Sequence, residues 1–385
     1  MLRRRAFAGL ACVGGGTLAH FTSMEQSDTH TLESAVKQYL IYEILKVAGW
    51  QARRRHDQQC EVFAETQKSL LVEQLTKNAS TAYGSSLGFK EMLQADDVVS
   101  AFRASQPITE YRHWAPWVDR IANGEANVLL DEPESMLAAT SGTSGQRALL
   151  PYNQSMATAF FKFGILVVFD TLRRTLPESF ELQKTCKLAF APSWTQSASG
   201  LRIGPNSSNP ADKSFRRLLL LYSTPSAGYE ISNDERAALY VHALFAVKDS
   251  RLGILEANFV HLPYRLLQLL QEHGDSIAND VAEGKIDRLV ASRIEPSKVA
   301  ELEEAFGGGD PRRAEQVREA LRAASNPSDD VGLARRLWPK LRLILANATG
   351  AFETYADKLL DGDARDVPIL STVYAASEGL MGVSK

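Results

Sequence analysis

The 385-residue chain is 44% hydrophobic and carries 43 Lys and Arg against 46 Asp and Glu, a net charge of −3. That content can bury a substantial core in one large domain or two ordinary ones, and it supplies no overall positive field to draw the chain to nucleic acid. Cys12, Cys60 and Cys186 form no close pair and no metal-type doublet, which argues against a disulfide framework and for a reducing, cytoplasmic setting.

The N-terminus complicates that setting. In "MLRRRAFAGLACVGGGTLA" three arginines precede a small and apolar stretch, so residues 1–30 read as a signal or targeting segment or as a disordered one. Its glycines and short length do not suit a spanning helix. From Thr31 to Lys77 the pattern is helical, with Val36, Leu40, Ile44 and Val47 at three- and four-residue spacing, and Gly49 is expected to break it into two helices. Lys37, Glu43 and Lys46 interrupt the apolar run, so no transmembrane span is expected there. "NASTAYGSSLGF" reads as a turn, and "ITEYRHWAPWVDRIANGE" as an extended entry into a short helix ending near Gly124.

Further on, "KLAFAPSW", "RLLLLYSTPS", "LGILEANFV" and "KLRLILANATG" read as buried strands or strand–helix junctions, whereas "PYRLLQLLQEHGDSIANDVAEG" has helical periodicity. That alternation predicts an α/β domain with a substantially parallel sheet. Between Asp287 and Trp338 lies a charged helical excursion, expected to be solvated, with a stop and restart at "GGGDP". The lone His242 reads as a core histidine. His56 and Cys60 share a helix face without a second pair, which does not make a zinc site.

Two stretches carry chemistry. In "TSGTSGQRALLP", residues 140–151, the hydroxyls of Thr140, Ser141, Thr143 and Ser144 and the close backbone approach allowed by Gly142 and Gly145 suit a phosphate cradle, with Arg147 just beyond. No lysine follows Gly145, so it is not a Walker A loop, and Gln146 stands where a nucleophile elbow needs glycine. A flexible turn between two strands is the other reading. In "DVPILSTVYAASEGL" an apolar strand from Val367 to Val373 is expected to deliver Tyr374, Ser377 and Glu378 to the carboxyl edge of the sheet. There a tyrosine can stack on a purine and a carboxylate can hold Mg2+. Alternatively Tyr374 packs in the core and Glu378 caps a following helix.

Together, the hydroxyl–glycine loop and the distant Tyr-x-x-Ser-Glu edge resemble the first two nucleotide motifs of adenylate-forming enzymes. "PITEYRHWAPWVDRIANGEANVLLDEP", "SMLAATSGTSGQRALLP", "RRLWPKLRLILANATG" and "YAASEG" are similar, in order, to segments of the Gretchen Hagen-type acyl acid amido synthetases, the auxin-responsive promoter family. The resemblance covers roughly Leu71 to the end. It implies a large adenylate-forming N-terminal domain over residues 31–385, with mixed and parallel sheets flanked by helices and preceded by N-terminal helices. It also implies an ATP-dependent acid–amino acid ligase acting on a small carboxylic acid and an amino acid, with ATP and Mg2+.

By the same resemblance Ser141, Gly142, Thr143, Ser144 and Gly145 would hold phosphate, Tyr374 would contact adenine, and Ser377 and Glu378 would organise nucleotide and metal. Glu378 would be both the metal ligand and the catalytic group, and Tyr222–Pro263 would contribute to the acyl pocket. The sequence ends seven residues after Glu378, ahead of the family's ribose-binding Asp and its small C-terminal lid. The expectation is therefore a fragment or short splice form of such a ligase, with weak or no activity over these 385 residues, or a non-catalytic nucleotide- or partner-binding relative.

Overall fold

The computed structural model describes residues 15–140, 147–207, 209–213, 215–232, 234–325 and 330–384. Helix α1 (Gly15–Ser23) leads into α2 (Leu32–Glu61) and α3 (Phe63–Lys77). Two short helices, Ala82–Ser86 and Phe89–Leu93, and a third at Val98–Ser105 precede α4 (Tyr111–Ala122). Strands β1 (Met136–Ala139) and β2 (Leu149–Tyr152) follow, then α5 (Gln154–Phe160), which runs through a π turn at Phe161–Ile165 into α6 (Leu166–Thr175).

The chain then forms β3 (Thr185–Leu188), β4 (Thr195–Gln196), β5 (Arg202–Gly204), α7 (Glu235–Lys248), β6 (Ile254–Phe259) and α8 (His261–Glu283). Helices α9 (Pro296–Phe306) and α10 (Pro311–Ala324) lead to β7 (Leu343–Asn347), α11 (Glu353–Asp361), β8 (Ile369–Leu370), β9 (Val373–Ala376) and β10 (Gly379–Val383).

Strand order β3-β6-β7-β8 is parallel throughout, and β2-β1-β5-β4 is mixed, with β1 and β5 parallel. Alternation along the parallel strands gives each face its own core. Leu255 and Ala257 of β6 and Ile344 and Ala346 of β7 pack with α7 and α8, while Ile254, Leu343 and Leu345 face Val168 and Leu172 of α6. Helices therefore cover both faces, as the α/β reading requires. Helix α7 is buried along Ala237–Val247, between the sheet and α8.

Several expectations fail locally for identifiable reasons. Helix α2 is continuous through Gly49 and ends at Val62, whose φ of −114° and ψ of 49° interrupt the helix before α3. Gly49 is used for close packing instead: a Cβ there would lie 3.0 Å from the Leu166 carbonyl oxygen and 3.3 Å from the Asp170 Cβ. "NASTAYGSSLGF" is not a simple turn, because the Thr81 hydroxyl caps Ala82–Ser86 and the left-handed Gly88, at φ 69°, starts the next helix. "RLLLLYSTPS" forms a 3-10 turn at Arg216–Leu221 rather than a strand, and only Tyr222 bridges to Thr185.

The excursion at 287–338 stops and restarts as expected, with Gly307 left-handed after α9 and the Asp310 carboxylate accepting the Arg313 N–H at 2.9 Å. It is not merely solvated, since Phe306, Ala314 and Val317 enter the main core. Arg313 is itself buried: its Nε donates to the Val247 carbonyl at 2.6 Å and its Nη2 to the Leu337 carbonyl at 2.7 Å. Among the described residues one helix, Gln154–Thr175, is long and apolar enough to cross a membrane by length and composition. Its second half packs in the protein, where Leu166, Val167, Val168 and Leu172 are buried together with Asp170, paired with Arg173 at 3.0 Å, whereas Gln154–Phe160 has no buried residue.

Two substitutions test this packing. Gly49→Val, by forcing a branched side chain between α2 and α6, is expected to lower the unfolding free energy by about 1–3 kcal/mol in urea titration. Arg313→Met strips donors from two buried carbonyls and is expected to cost roughly 2–6 kcal/mol, taking about 1–3 kcal/mol per unsatisfied acceptor, with the urea m-value unchanged.

Candidate functional site

Open parallel sheets present their ligand-binding loops where the strands end. Here β6 ends at Phe259, β7 at Asn347 and β8 at Leu370, and each exit is pinned. The Asn347 carbonyl accepts the Val260 N–H at 3.0 Å, and its side-chain oxygen accepts the Thr349 N–H at 3.1 Å and the Thr349 hydroxyl at 2.9 Å. Between β7 and β8, the Ser371 hydroxyl donates to the Ala346 carbonyl at 3.2 Å and accepts the Ala348 N–H at 3.0 Å.

Phe259, His261 and Phe352 stack at the same edge. The two phenyl rings are 4.6 Å apart and tilted by 22°, and the imidazole lies 5.4 Å from Phe352 at 19°. Burial and the Arg265 charge lower the His261 pKa, which favours a neutral ring, and its Nδ1 is buried without a hydrogen-bond partner among the described residues. Phe259 and His261 fall within the Tyr222–Pro263 segment expected to contribute to the acyl pocket, although neither was singled out, and Asn347, Thr349 and Phe352 were not anticipated. Their position just after strand-like runs was the available signal.

The Tyr-Ser-Glu segment arrives differently from the expected strand. The apolar run is not one strand from Val367 to Val373: β8 spans only Ile369–Leu370, and the chain then enters an antiparallel hairpin, β9–β10, outside the parallel sheet. Ser377 and Glu378 form its two-residue turn, so no helix follows for Glu378 to cap. Tyr374 is on β9, 71% exposed, and is therefore not a core residue. The hairpin base is anchored by Val373 and Val383 against Val168 and Leu172 and by the Thr171 hydroxyl donating to the Ser384 carbonyl at 2.9 Å, and Leu380, two residues past Glu378, packs over Gly164. Its tip is exposed. Among the described residues Glu378 has no ion pair.

Ser141, Gly142, Thr143, Ser144 and Gly145 lie outside the described residues. Their flanks are ordered as a hairpin: β1 and β2 pair antiparallel with Ala139 opposite Leu149. Thr140 closes the gap, its N–H donating to the Ala148 carbonyl at 3.0 Å and its hydroxyl accepting the Ala148 N–H at 3.1 Å. The Tyr111 hydroxyl from α4 accepts the Leu149 N–H at 2.9 Å, which braces the same hairpin. Arg147 is exposed beside it.

Residues 52–366 match the GH3 family N-terminal domain. The chain belongs to the GH3 family. It is 27% identical over 334 residues to a probable indole-3-acetic acid-amido synthetase, GH3.13, of Oryza sativa subsp. japonica, covering 83% of this chain and 69% of that protein. It is 25% identical over 332 residues to a jasmonoyl–L-amino acid synthetase, GH3.3, of the same organism, covering 83% and 68%. A solved GH3.15 acyl acid amido synthetase superposes with a TM-score of 0.70 at 23% identity, over 82% of this chain and 54% of that one, a likeness of fold. Against other GH3 relatives the chain covers as little as 50% of their length. The GH3 match contains the 140–151 segment and three of the four strands of the parallel sheet, β3, β6 and β7, and it ends ahead of β8 and the β9–β10 hairpin.

Within the segment expected to line an acyl pocket, His242 is fully buried on α7 and its chemistry is structural. Its Nε2 must donate to the Ala189 carbonyl at 2.9 Å, which leaves Nδ1 to accept the Thr224 hydroxyl at 2.8 Å. Burial pushes its pKa down to about 4. Because the unfolded chain takes up that proton near pH 6.5, stability supplied by the neutral ring is present above that pH and is lost as pH falls toward 4. Between pH 7 and pH 5 the loss from this group is about 2 kcal/mol. His242→Gln keeps a donor and an acceptor without titrating, so its urea-derived stability should fall less than wild type over that interval by this amount.

Proposed function

We propose that this chain is the nucleotide-binding part of an ATP-dependent acid–amino acid ligase that works through an acyl-adenylate. The observation that carries the proposal is the family match across the hydroxyl–glycine segment and the parallel sheet, together with relatives named as amido synthetases for indole-3-acetic acid and jasmonic acid. In this reading a carboxylate oxygen of a small organic acid attacks the α-phosphorus of ATP and pyrophosphate leaves. The amine of an amino acid then attacks the acyl carbon, AMP leaves, and the amine loses a proton as the amide forms.

The protein's contribution is positional and electrostatic. Ser141, Thr143 and Ser144, with the backbone freed by Gly142 and Gly145, would donate to the phosphates between two strands held by Thr140 and Tyr111. Tyr374, already exposed, would offer its ring to adenine, and Ser377 and Glu378 would approach the nucleotide from the hairpin turn. A single exposed carboxylate fits Mg2+, which commonly binds through one or two carboxylates plus substrate phosphates. Bound there, the ion would neutralise charge on the phosphates. No group of three or more His, Cys, Asp or Glu side chains among the described residues could hold a metal by itself.

The test begins with binding. Equilibrium dialysis of MgATP should show weaker binding for Ser144→Ala and Glu378→Ala, by about 10- to 150-fold for loss of a charge-assisted contact of roughly 1.5–3 kcal/mol at Glu378 and less at Ser144. Thermal unfolding of both variants should match wild type. Pyrophosphate exchange into ATP should depend on an added carboxylic acid, with indole-3-acetate, jasmonate and a substituted benzoate as the first probes. Unchanged nucleotide affinity in both variants would remove the loop and hairpin from the site. Nucleotide binding with no exchange for any acid would favour a non-catalytic relative.

A further inference from the structure

The helical layer ahead of residue 52, where the family match begins, carries an apolar stripe facing away from the core. Along α2 the buried side is Ala35, Val36, Gln38, Tyr39 and Gly49. Leu40, Ile44, Val47 and Trp50 recur at spacings of four, three and three residues and are between 45% and 68% exposed. The helix is thus apolar on two sides, and only one is accounted for by the fold.

The charges around the stripe are ordered. Glu33 is paired with Lys37 at 2.7 Å and Glu43 with Lys46 at 3.1 Å, so the acidic groups near the stripe's first half are neutralised locally. Its C-terminal end is basic. Arg54 stands over the Trp50 ring at 5.6 Å, and Arg55 over Phe163 at 5.5 Å in the π turn that continues into α6. That same turn leaves Phe161 and Ile165 exposed one turn apart. From Leu40 to Arg55 the face is about 22 Å long at a helical rise of about 1.5 Å per residue.

We infer that the outer face of α2 docks on an anionic lipid surface, with Leu40, Ile44 and Val47 entering the acyl boundary and Trp50, Arg54 and Arg55 at headgroup level. A helix lying in the interface plane needs an apolar stripe with an amphipathic aromatic and cations beside it, and anionic headgroups complete the charge. A second copy of this chain could also cover the apolar stripe, as a dimer that needs no lipid. The inference is independent of the ligase reading.

The test is sedimentation of the purified chain with extruded vesicles, either phosphatidylcholine alone or phosphatidylcholine mixed with phosphatidylserine. Binding is expected to the mixed vesicles at low salt, to weaken with added salt, and to be much poorer on the neutral ones. Ile44→Glu/Val47→Glu should lower the bound fraction about tenfold or more, and Arg54→Glu/Arg55→Glu should do likewise. Thermal unfolding and MgATP binding should remain at wild-type values. Three results overturn the inference: no binding to mixed vesicles, binding that neither double variant weakens, or a dimer by light scattering that Ile44→Glu/Val47→Glu dissolves.

Discussion

The C-terminal end of α7 constrains the whole arrangement. A helix buried along Ala237–Val247 cannot leave its last carbonyls to water, so other parts of the chain must supply donors. Trp338 does so with its indole N–H to the Ala246 carbonyl at 2.9 Å, and Arg313 with its Nε to the Val247 carbonyl. Both donors come from far along the sequence, which ties α10 and the approach to β7 to the helix under the sheet. Burial lowers the Arg313 pKa, opposed by nearby Asp249, Asp28 and Asp310. Asp249 in turn accepts from the Ser27 hydroxyl, the Asp28 N–H and the Arg251 N–H, so the segment leading into α2 is bound to the same network.

With that end fixed, the parallel sheet can be exact at its other end. Its strands are short, and the two-sided alternation of β6 and β7 sets their register, because a one-residue slip would exchange the α7 face for the α6 face. The carboxyl edge inherits that precision. Asn347 and Ser371 hold the exits of β7 and β8 through side-chain bonds to neighbouring backbone. The stacked Phe259, His261 and Phe352 then occupy a fixed position at the end of β6.

Strands β6 and β7 and helix α8 were legible because each is a long or dense apolar signal bounded by turn residues. Gly49 misled because glycine in a helical pattern has two meanings, a stop or a close approach, and only the partner helix α6 distinguishes them. The charged appearance of 287–338 misled for a related reason: one buried arginine bonded to two carbonyls is indistinguishable by composition from a solvated one. At the site, Tyr374, Ser377 and Glu378 were singled out as a group, and one hairpin does carry all three. Their setting was not legible, since "TVYAASEGLMGV" has no turn dipeptide of the usual Asn-Gly or Asp-Gly kind. The edge residues Asn347 and Phe352 were missed because their role comes from strand ends lying side by side, which no short motif records.

The site as built joins a rigid half to an exposed half, and this division has an energetic consequence in the ligase reading. The carboxyl edge and the Thr140–Ala148 closure are hydrogen-bonded before any ligand arrives, so they demand little ordering on binding. Tyr374 is exposed, and fixing such a side chain costs about 0.5–1.5 kcal/mol. Stacking of a base on an aromatic ring returns roughly 1–3 kcal/mol. The balance favours the nucleotide only if the hairpin base does not also have to be ordered. Val373 and Val383 already hold that base against α6, and Leu380 meets the π turn close to the tip, so the cost of positioning Tyr374 and the turn is largely met by folding.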